Sequence, residues 1–278
     1  MTFAFRNTLL IILEVLCLLL ILSTLGFFFY AVQGDSSLQF TSEEGVRLLW
    51  WTYQSGNTAI LIRLTVFASF ACGLYSFITL HFLRLQFKRT VSPEIFFACF
   101  YVFAFTFELI KIPSLFLSSQ GFDLYIGSLL TRTHLAGHAF GIICLFLATI
   151  FAAGLNYQKY GSAILLSLLI SFLLGYAVPI ETLERLHNGL YLIGDRTGFL
   201  IFFSIVEFFC MLNLIQAFRE NKQKEYLFAF IGSILLIIGR EGTFFSPNTL
   251  IVILSIACLT IGMIVFARSI KGVYLWRL

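Results

Sequence analysis

Charge is what this sequence has least of. Only 12% of its 278 residues are Asp, Glu, Lys or Arg, while 59% are hydrophobic and 34 are Phe. A soluble domain carries about 25% charged and 45–50% apolar residues. The deficit runs along the whole chain, which excludes an ordinary water-soluble fold and suits a lipid-facing surface. No basic patch stands out either: the net charge of +4 is spread between apolar runs, which excludes a nucleic-acid-binding face. Cys17, Cys72, Cys99, Cys144, Cys210 and Cys258 all lie inside apolar runs, and none meets another at a C-x-x-C spacing. That argues against a disulfide framework or zinc knuckle and for buried thiols acting as small hydrophobes. The chain also lacks G-x-S-x-G, Walker A, G-x-G-x-x-G and protein-kinase signatures. Nothing singles out Ser128 or Ser204 as the nucleophile of an intramembrane protease.

What the chain does have is long apolar runs. A helix needs about 20 apolar residues to cross the hydrocarbon core. Runs of that kind fall near residues 8–32, 57–82, 95–118, 126–154, 162–180, 198–218, 225–243 and 249–268. The expected fold is all-α: a polytopic transmembrane bundle of about eight spans, forming one integral membrane domain over residues 1–278. The first run is longer than the 7–15 residues of a signal-peptide core and reads as an uncleaved span. The seventh is the weakest, because its purely apolar part, Leu227 to Gly239, is short; a tilt or break there would leave seven spans.

Loop charges predict the orientation. With the N-terminus inside, the inner segments hold Arg6; Arg84, Lys88 and Arg89; Lys159; Arg219, Lys222 and Lys224; and Arg268, Lys271 and Arg277, eleven of the 18 Lys and Arg. The outer loops carry Asp35, Glu43, Glu44, Asp123, Glu181, Glu184 and Asp195. By the positive-inside bias both termini are cytoplasmic and the protein belongs to the cell membrane. Two outer segments read as interfacial helices. One begins at the capping box Thr41-Ser42-Glu43-Glu44 and carries Val46, Leu49, Trp50 and Tyr53 on one face. The other has Leu183, Leu186, His187 and Leu190 at helical spacing. Tyr274 and Trp276 beside Lys271 and Arg277 read as an inner-leaflet anchor.

An ionisable group inside the membrane costs several kcal/mol and usually faces the bundle interior with a partner. In this topology Arg63, Glu108, Lys111, Arg132, His134, His138, Glu207, Arg240 and Glu241 all fall between the midplane and the outer end of their spans; only Glu14 and His81 lie toward the inner side. Their packing together predicts an outward-facing polar cavity. Gly137 and Gly141, with Ala136 and Ala139, make the fourth span a close-packing and therefore central helix. His134 and His138, at i,i+4, could present two imidazoles to one metal, with Glu108, His187, Glu207 or Glu241 as third ligand. The intervening Leu135-Ala136-Gly137 lacks the Glu of H-E-x-x-H.

The first reading is therefore a binding or sensory membrane protein. Arg63, Lys111, Arg132 and Arg240 would hold a small anionic ligand or lipid headgroup, balanced by Glu108, Glu207 and Glu241, with no cofactor. Its plan looks like the membrane modules of bacterial sensors, a likeness of architecture only. The inner loops are too short for an enzymatic domain, so a signal would pass to a separate cytoplasmic or membrane partner. A second reading is a membrane-embedded enzyme acting on a lipid, with a metal or acid–base pair at His134 and His138. A third is a secondary transporter. The Glu181–His187 segment would lie over the cavity mouth as an ordinary charged loop helix.

Overall fold

The computed structural model describes residues 3–33, 58–87, 92–119, 124–154, 160–186, 188–245 and 249–275. Its helices are α1 (Phe3–Gln33), α2 (Thr58–Gln86), α3 (Pro93–Phe103), α4 (Lys111–Ser119), α5 (Leu124–Ala152), α6 (Tyr160–Ala177), α7 (Arg196–Asn221), α8 (Lys224–Phe245) and α9 (Thr249–Leu275). A 3-10 segment, Ala104–Ile110, joins α3 to α4, and a two-stranded hairpin, β1 (Ile180–Arg185) and β2 (Tyr191–Ile193), joins α6 to α7. Among the described residues, eight helical stretches are long and apolar enough to cross a membrane, each overlapping one of the eight apolar runs. The chain is thus an all-α, multi-pass membrane protein. The segment around Thr41–Tyr53 and the residues Trp276 and Arg277 lie outside the described residues.

Burial ranks the spans. The third span, α3 through α4, is 83% buried over its most apolar window, and α5 is 78% buried; α6 and α7 are only 17% and 22% buried. The two central helices therefore carry the interior, and the others turn large apolar side chains outward, such as Leu165 and Leu169 on α6 and Phe208 on α7. In α6 the only buried residues of the helix are Ser167, Ser171 and Gly175, one per turn. That stripe of small residues lets α6 lie close on α5: a Cβ at Gly175 would sit 2.7 Å from the Arg132 carbonyl oxygen. The pair α8 and α9 run antiparallel in the same manner. Gly232 and Gly262 face each other, and a Cβ on either would come within 2.9 Å of the other's carbonyl oxygen. Two buried phenols tie the bundle across its middle. Tyr75 donates to the Leu259 carbonyl at 3.2 Å and Tyr101 to that of Leu236 at 2.8 Å.

Helix ends follow local chemistry. Ser92 caps α3, accepting from the Ile95 N–H at 3.2 Å, with Pro93 in the first turn, where its missing N–H costs nothing. The Tyr274 hydroxyl donates to Glu94 at 2.9 Å, so this tyrosine locks α9 to α3. Asp195 caps α7 through the Gly198 N–H at 2.9 Å, and Lys222, at φ 53°, closes the same helix in the left-handed region.

Two expectations change. The seventh span is not broken: α8 runs unbroken for 22 residues. The break lies in the third span, where seven residues, Ala104–Ile110, tighten into 3-10 geometry. Such runs seldom exceed 3–4 residues. Pro113 has no N–H for the Leu109 carbonyl and its ring crowds that oxygen, so a regular α-helix cannot pass through this point. Nor is the segment carrying Leu183, Leu186 and Leu190 a helix. It is an antiparallel hairpin with Ile180 opposite Ile193 and Glu181 opposite Leu192. Gly189, at φ +79°, turns the chain; its N–H donates to the Leu186 carbonyl at 3.0 Å and the Leu186 N–H to the Leu190 carbonyl at 2.8 Å. The Asn188-Gly189 pair is a hairpin signal, and it prevails over the helical spacing of the leucines.

Replacing Gly232 by Ala presses a methyl onto the α9 backbone and should cost about 1–3 kcal/mol, the range for overpacking. Gly161→Ala, at a position with nothing within 4 Å, should leave stability unchanged. Thermal unfolding of both variants in detergent checks this; equal melting temperatures would contradict the close α8–α9 contact.

Candidate functional site: a buried charge cluster behind a hairpin-covered cavity

The break in the third span brings Glu108 and Lys111 into the bundle centre, both more than 90% buried. The Lys111 ammonium contacts Glu108 Oε2 at 2.5 Å, and the same oxygen lies 3.3 Å from His134 Nε2 on α5. One turn further along α5, His138 Nε2 lies 3.4 Å from Glu241 Oε1 on α8. The Glu207 carboxyl, on α7, neighbours that of Glu241, which adds α7 to the cluster. Neither histidine contact is aligned as a hydrogen bond. Both ring nitrogens of His134 and of His138 are buried without a hydrogen-bond partner among the described residues. An unmatched buried polar atom of this kind costs about 1–3 kcal/mol.

Arg240 holds the middle of the cluster. The residue is 3% exposed, and its guanidinium donates through Nη2 to the carbonyls of Gly137 at 3.2 Å and His138 at 2.9 Å. Its Cζ lies 4.8 Å from the Phe105 ring centre and 5.4 Å from that of Tyr101. Gly141 makes this possible, since a Cβ there would stand 2.5 Å from the guanidinium carbon. The planar cation lies flat against the α5 backbone and is stacked by aromatic faces, an arrangement that suits Arg and not Lys. Gly137 provides a similar notch for the Phe107 ring. The small residues of α5 thus admit side chains as well as neighbouring helices.

Phe244, from the end of α8, packs on both histidines. It stacks on His134 at 5.0 Å between ring centres and contacts His138 at 4.0 Å. It also forms part of the wall of a cavity of about 40 Å³, lined further by Thr131, His134, Leu135, Leu186, Asn188, Leu190, Tyr191, Leu192, Ile193 and Arg196. Such a volume accommodates a few waters or a small polar group. The hairpin forms one side of it and is anchored by polar contacts. Ser114 donates to the Gly189 carbonyl at 2.8 Å and the Tyr191 N–H donates to the Thr131 hydroxyl at 3.1 Å. Gly189 is pressed against α4: a Cβ there would meet the Leu115 nitrogen at 2.7 Å. The segment after α6 is therefore part of the site's wall rather than a detached loop helix.

Of the residues picked from the sequence, Glu108, Lys111, His134, His138, Glu207, Arg240 and Glu241 converge. Arg63 does not: it is exposed near the start of α2 and makes none of these contacts. Nor does Arg132, whose guanidinium donates to the Tyr176 carbonyl and lies 5.6 Å over the Tyr176 ring, facing α6. His134 and His138 do not offer both imidazoles to one point. Each faces its own carboxylate with Phe244 against both, and among the described residues no group of three or more His, Cys, Asp or Glu side chains is placed to hold a metal. His187 lies outside the described residues. All six cysteines are free and all but Cys258 are buried. Sequence reasoning missed Asn188 and Tyr191, which the hairpin brings to the site and which Asn188-Gly189 following Pro179 could have signalled, and also Thr131 of α5 and Arg196 at the start of α7.

Lys111→Met would leave the buried Glu108 carboxylate with His134 as its remaining ion-pair partner among the described residues. Removing one partner of a buried pair costs about 3–5 kcal/mol. Glu108→Gln combined with Lys111→Met should recover most of that loss. Denaturant titration of the single and double variants reads the coupling; additive losses would contradict the pairing.

No family model, curated protein or solved structure matches this chain.

Proposed function

We propose that this is a multi-pass protein of the cell membrane, with both termini cytoplasmic, that binds a small anionic molecule or lipid headgroup in the cavity beneath the hairpin. One observation carries the reading. Arg196 and the buried His134 imidazole, whose ring nitrogens have no hydrogen-bond partner among the described residues, meet on a cavity otherwise walled mainly by Leu, Ile, Phe and Tyr. Apolar walls with a few convergent polar groups are the usual makeup of a ligand site. Thr131 and Asn188 add a hydroxyl and an amide for orientation. Arg196 and His134 take the anion-binding role that Arg63 and Arg132 do not fill. Lys111 and Arg240 stand behind the cavity, with Glu108, Glu207 and Glu241 balancing their charge. Ligand occupancy would be passed to a separate partner through the short basic loops between the inner ends of the spans.

The broken third span favours a second reading, a secondary transporter. Transporters commonly site their substrate near the midplane on discontinuous helices, and Glu108 sits at such a discontinuity. Uptake of the stabilising compound into proteoliposomes separates transport from binding alone.

Two measurements test the proposal. The melting temperature of the protein in nanodiscs should rise with anionic amphiphiles, tested as oleate and phosphatidylglycerol, and not with oleyl alcohol. Saturation at a hundredfold excess over Kd adds about 2.7 kcal/mol. Arg196→Gln should weaken the effect about tenfold or more. An equal rise with the neutral alcohol would overturn the anion site. For orientation, Lys222→Cys should react with an impermeant maleimide only when the cytoplasmic face is opened; labelling of intact cells would reverse the topology.

A further inference from the structure

The cluster contains more protonatable groups than anion binding needs, and they form a line. From the cavity inward stand His134 with Glu108, then His138, Glu241 and Glu207. His134 and His138 are one helical turn apart, about 5–6 Å between Cβ atoms, and share the face of Phe244. The line does not stop at Glu207. Below it on α7 comes Cys210, which lies against the Thr149 hydroxyl of α5. Asn213 donates to that same hydroxyl at 3.2 Å. A turn further, Gln216 donates to Glu220 at 2.9 Å near the end of α7. Glu207, Cys210 and Asn213 follow at three-residue intervals on the side of α7 turned to the bundle, with Cys210 buried and the other two half-buried, whereas Gln216 and Glu220 are exposed near the end of the helix. Together with the cluster, these interior groups extend from the hairpin end of the bundle to Asn213, and Gln216 and Glu220 lie beyond it at the exposed end of α7.

A structural ion pair needs one partner for each charge. Here two histidines leave all four ring nitrogens without hydrogen bonds among the described residues, and three carboxyl groups crowd the same interior. We propose that this line is a proton pathway across the membrane, running from the cavity through His134, His138, Glu241 and Glu207 to Glu220. A proton from water in the cavity binds a ring nitrogen of His134, beside the Glu108 carboxylate, which stabilises the imidazolium. It passes to His138 through a bridging water. From His138 Nε2 it moves to Glu241 Oε1, and from Glu241 to Glu207. Water held along Thr149 and Asn213 then carries it to Glu220. At each step an N–H or O–H bond breaks on the donor as one forms on the acceptor; one proton leaves for each that enters, and no electrons change hands. The fixed cations Lys111 and Arg240 offset two of the carboxylates, so a proton in transit meets neither a deep anionic trap nor an uncompensated cation. Tyr101, which faces Arg240 from α3, donates to a backbone carbonyl and stands outside the line.

The pathway shares His134 and the cavity with the anion site but does not depend on a bound anion, and it is tested without a ligand. The protein is reconstituted into liposomes loaded with pyranine, and a potassium diffusion potential is applied with valinomycin. Proton flux should exceed that of protein-free liposomes at least tenfold. Glu241→Gln, His138→Gln and Asn213→Leu should each reduce it to the protein-free level, while Arg63→Gln should leave it unchanged. Asn213 is half-buried and far from the charge cluster, so its leucine variant interrupts the line even if changes within the cluster prevent folding. Flux no greater than in protein-free liposomes overturns the pathway. Wild-type flux in a folded Asn213→Leu variant overturns its inner half, and wild-type flux in Glu241→Gln overturns its central step. Because the readout contains no amphiphile, its failure leaves the melting-temperature test of the anion site untouched.

Discussion

An ionised side chain within hydrocarbon has no water to turn to, and the centre of this protein is arranged around that constraint. Arg240 shows it most plainly. A free guanidinium at that depth would cost several kcal/mol. The bundle meets the cost with two α5 carbonyls, two aromatic faces and the space left by a missing side chain at Gly141. The carbonyls supply partial negative charge, the rings supply polarisable surface, and the glycine lets the cation come close enough to use both. Each condition depends on the others. A methyl at position 141 would push the guanidinium off the carbonyls, and loss of Tyr101 would also remove its bond to the Leu236 carbonyl, on the same helix as Arg240.

The same constraint explains why the third span is broken where it is. A continuous α-helix satisfies all its own backbone groups, so interrupting one inside the membrane needs a reason and a remedy. Pro113 is the local cause. The remedy is depth: Thr106, Glu108, Leu109, Lys111 and Ile112 are all buried, so the altered backbone is covered by protein rather than lipid. The tightened turn also places Glu108 and Lys111 at i,i+3 with their charges meeting at 2.5 Å.

What the sequence reveals and what it conceals divide along one line. Position along a span is legible, because charges among apolar residues stand out and depth follows from 1.5 Å of rise per residue. Seven of the nine ionisable groups assigned to the outer half of the bundle do converge. Direction around the helix is not legible in the same way. Each residue turns the side chain by about 100°, and only the neighbouring helix decides whether that direction is interior. Arg63 and Arg132 sit at suitable depths and face elsewhere. Arg132 is drawn to Tyr176 because α6, with Ser171 and Gly175, packs against that side of α5. The hairpin was misread for another reason. Leu183, Leu186 and Leu190 fit a helical spacing, yet Asn188-Gly189 requires a turn that no helix admits, and backbone chemistry decides over side-chain periodicity. At His134 and His138 the i,i+4 spacing puts two imidazoles on one helix but brings no third ligand among the described residues, and each ring faces a carboxylate.

The hairpin is also the element hardest to reconcile with a membrane, and its position follows from that difficulty. Strand edges cannot face lipid, because their N–H and C=O groups would be unmatched. A two-stranded ribbon has two edges and is barely stable alone in water. This one persists because its turn is held from both sides, by Ser114 of α4 and Thr131 of α5, and because Leu190 and Tyr191 are buried between those helices. The helices that hold it are those that carry Lys111 and His134. Any displacement of the hairpin therefore disturbs the first members of the charge cluster, and any change of charge at His134 acts on the wall the hairpin completes. Cavity and cluster are thereby mechanically one unit, joined through Thr131, His134 and Phe244.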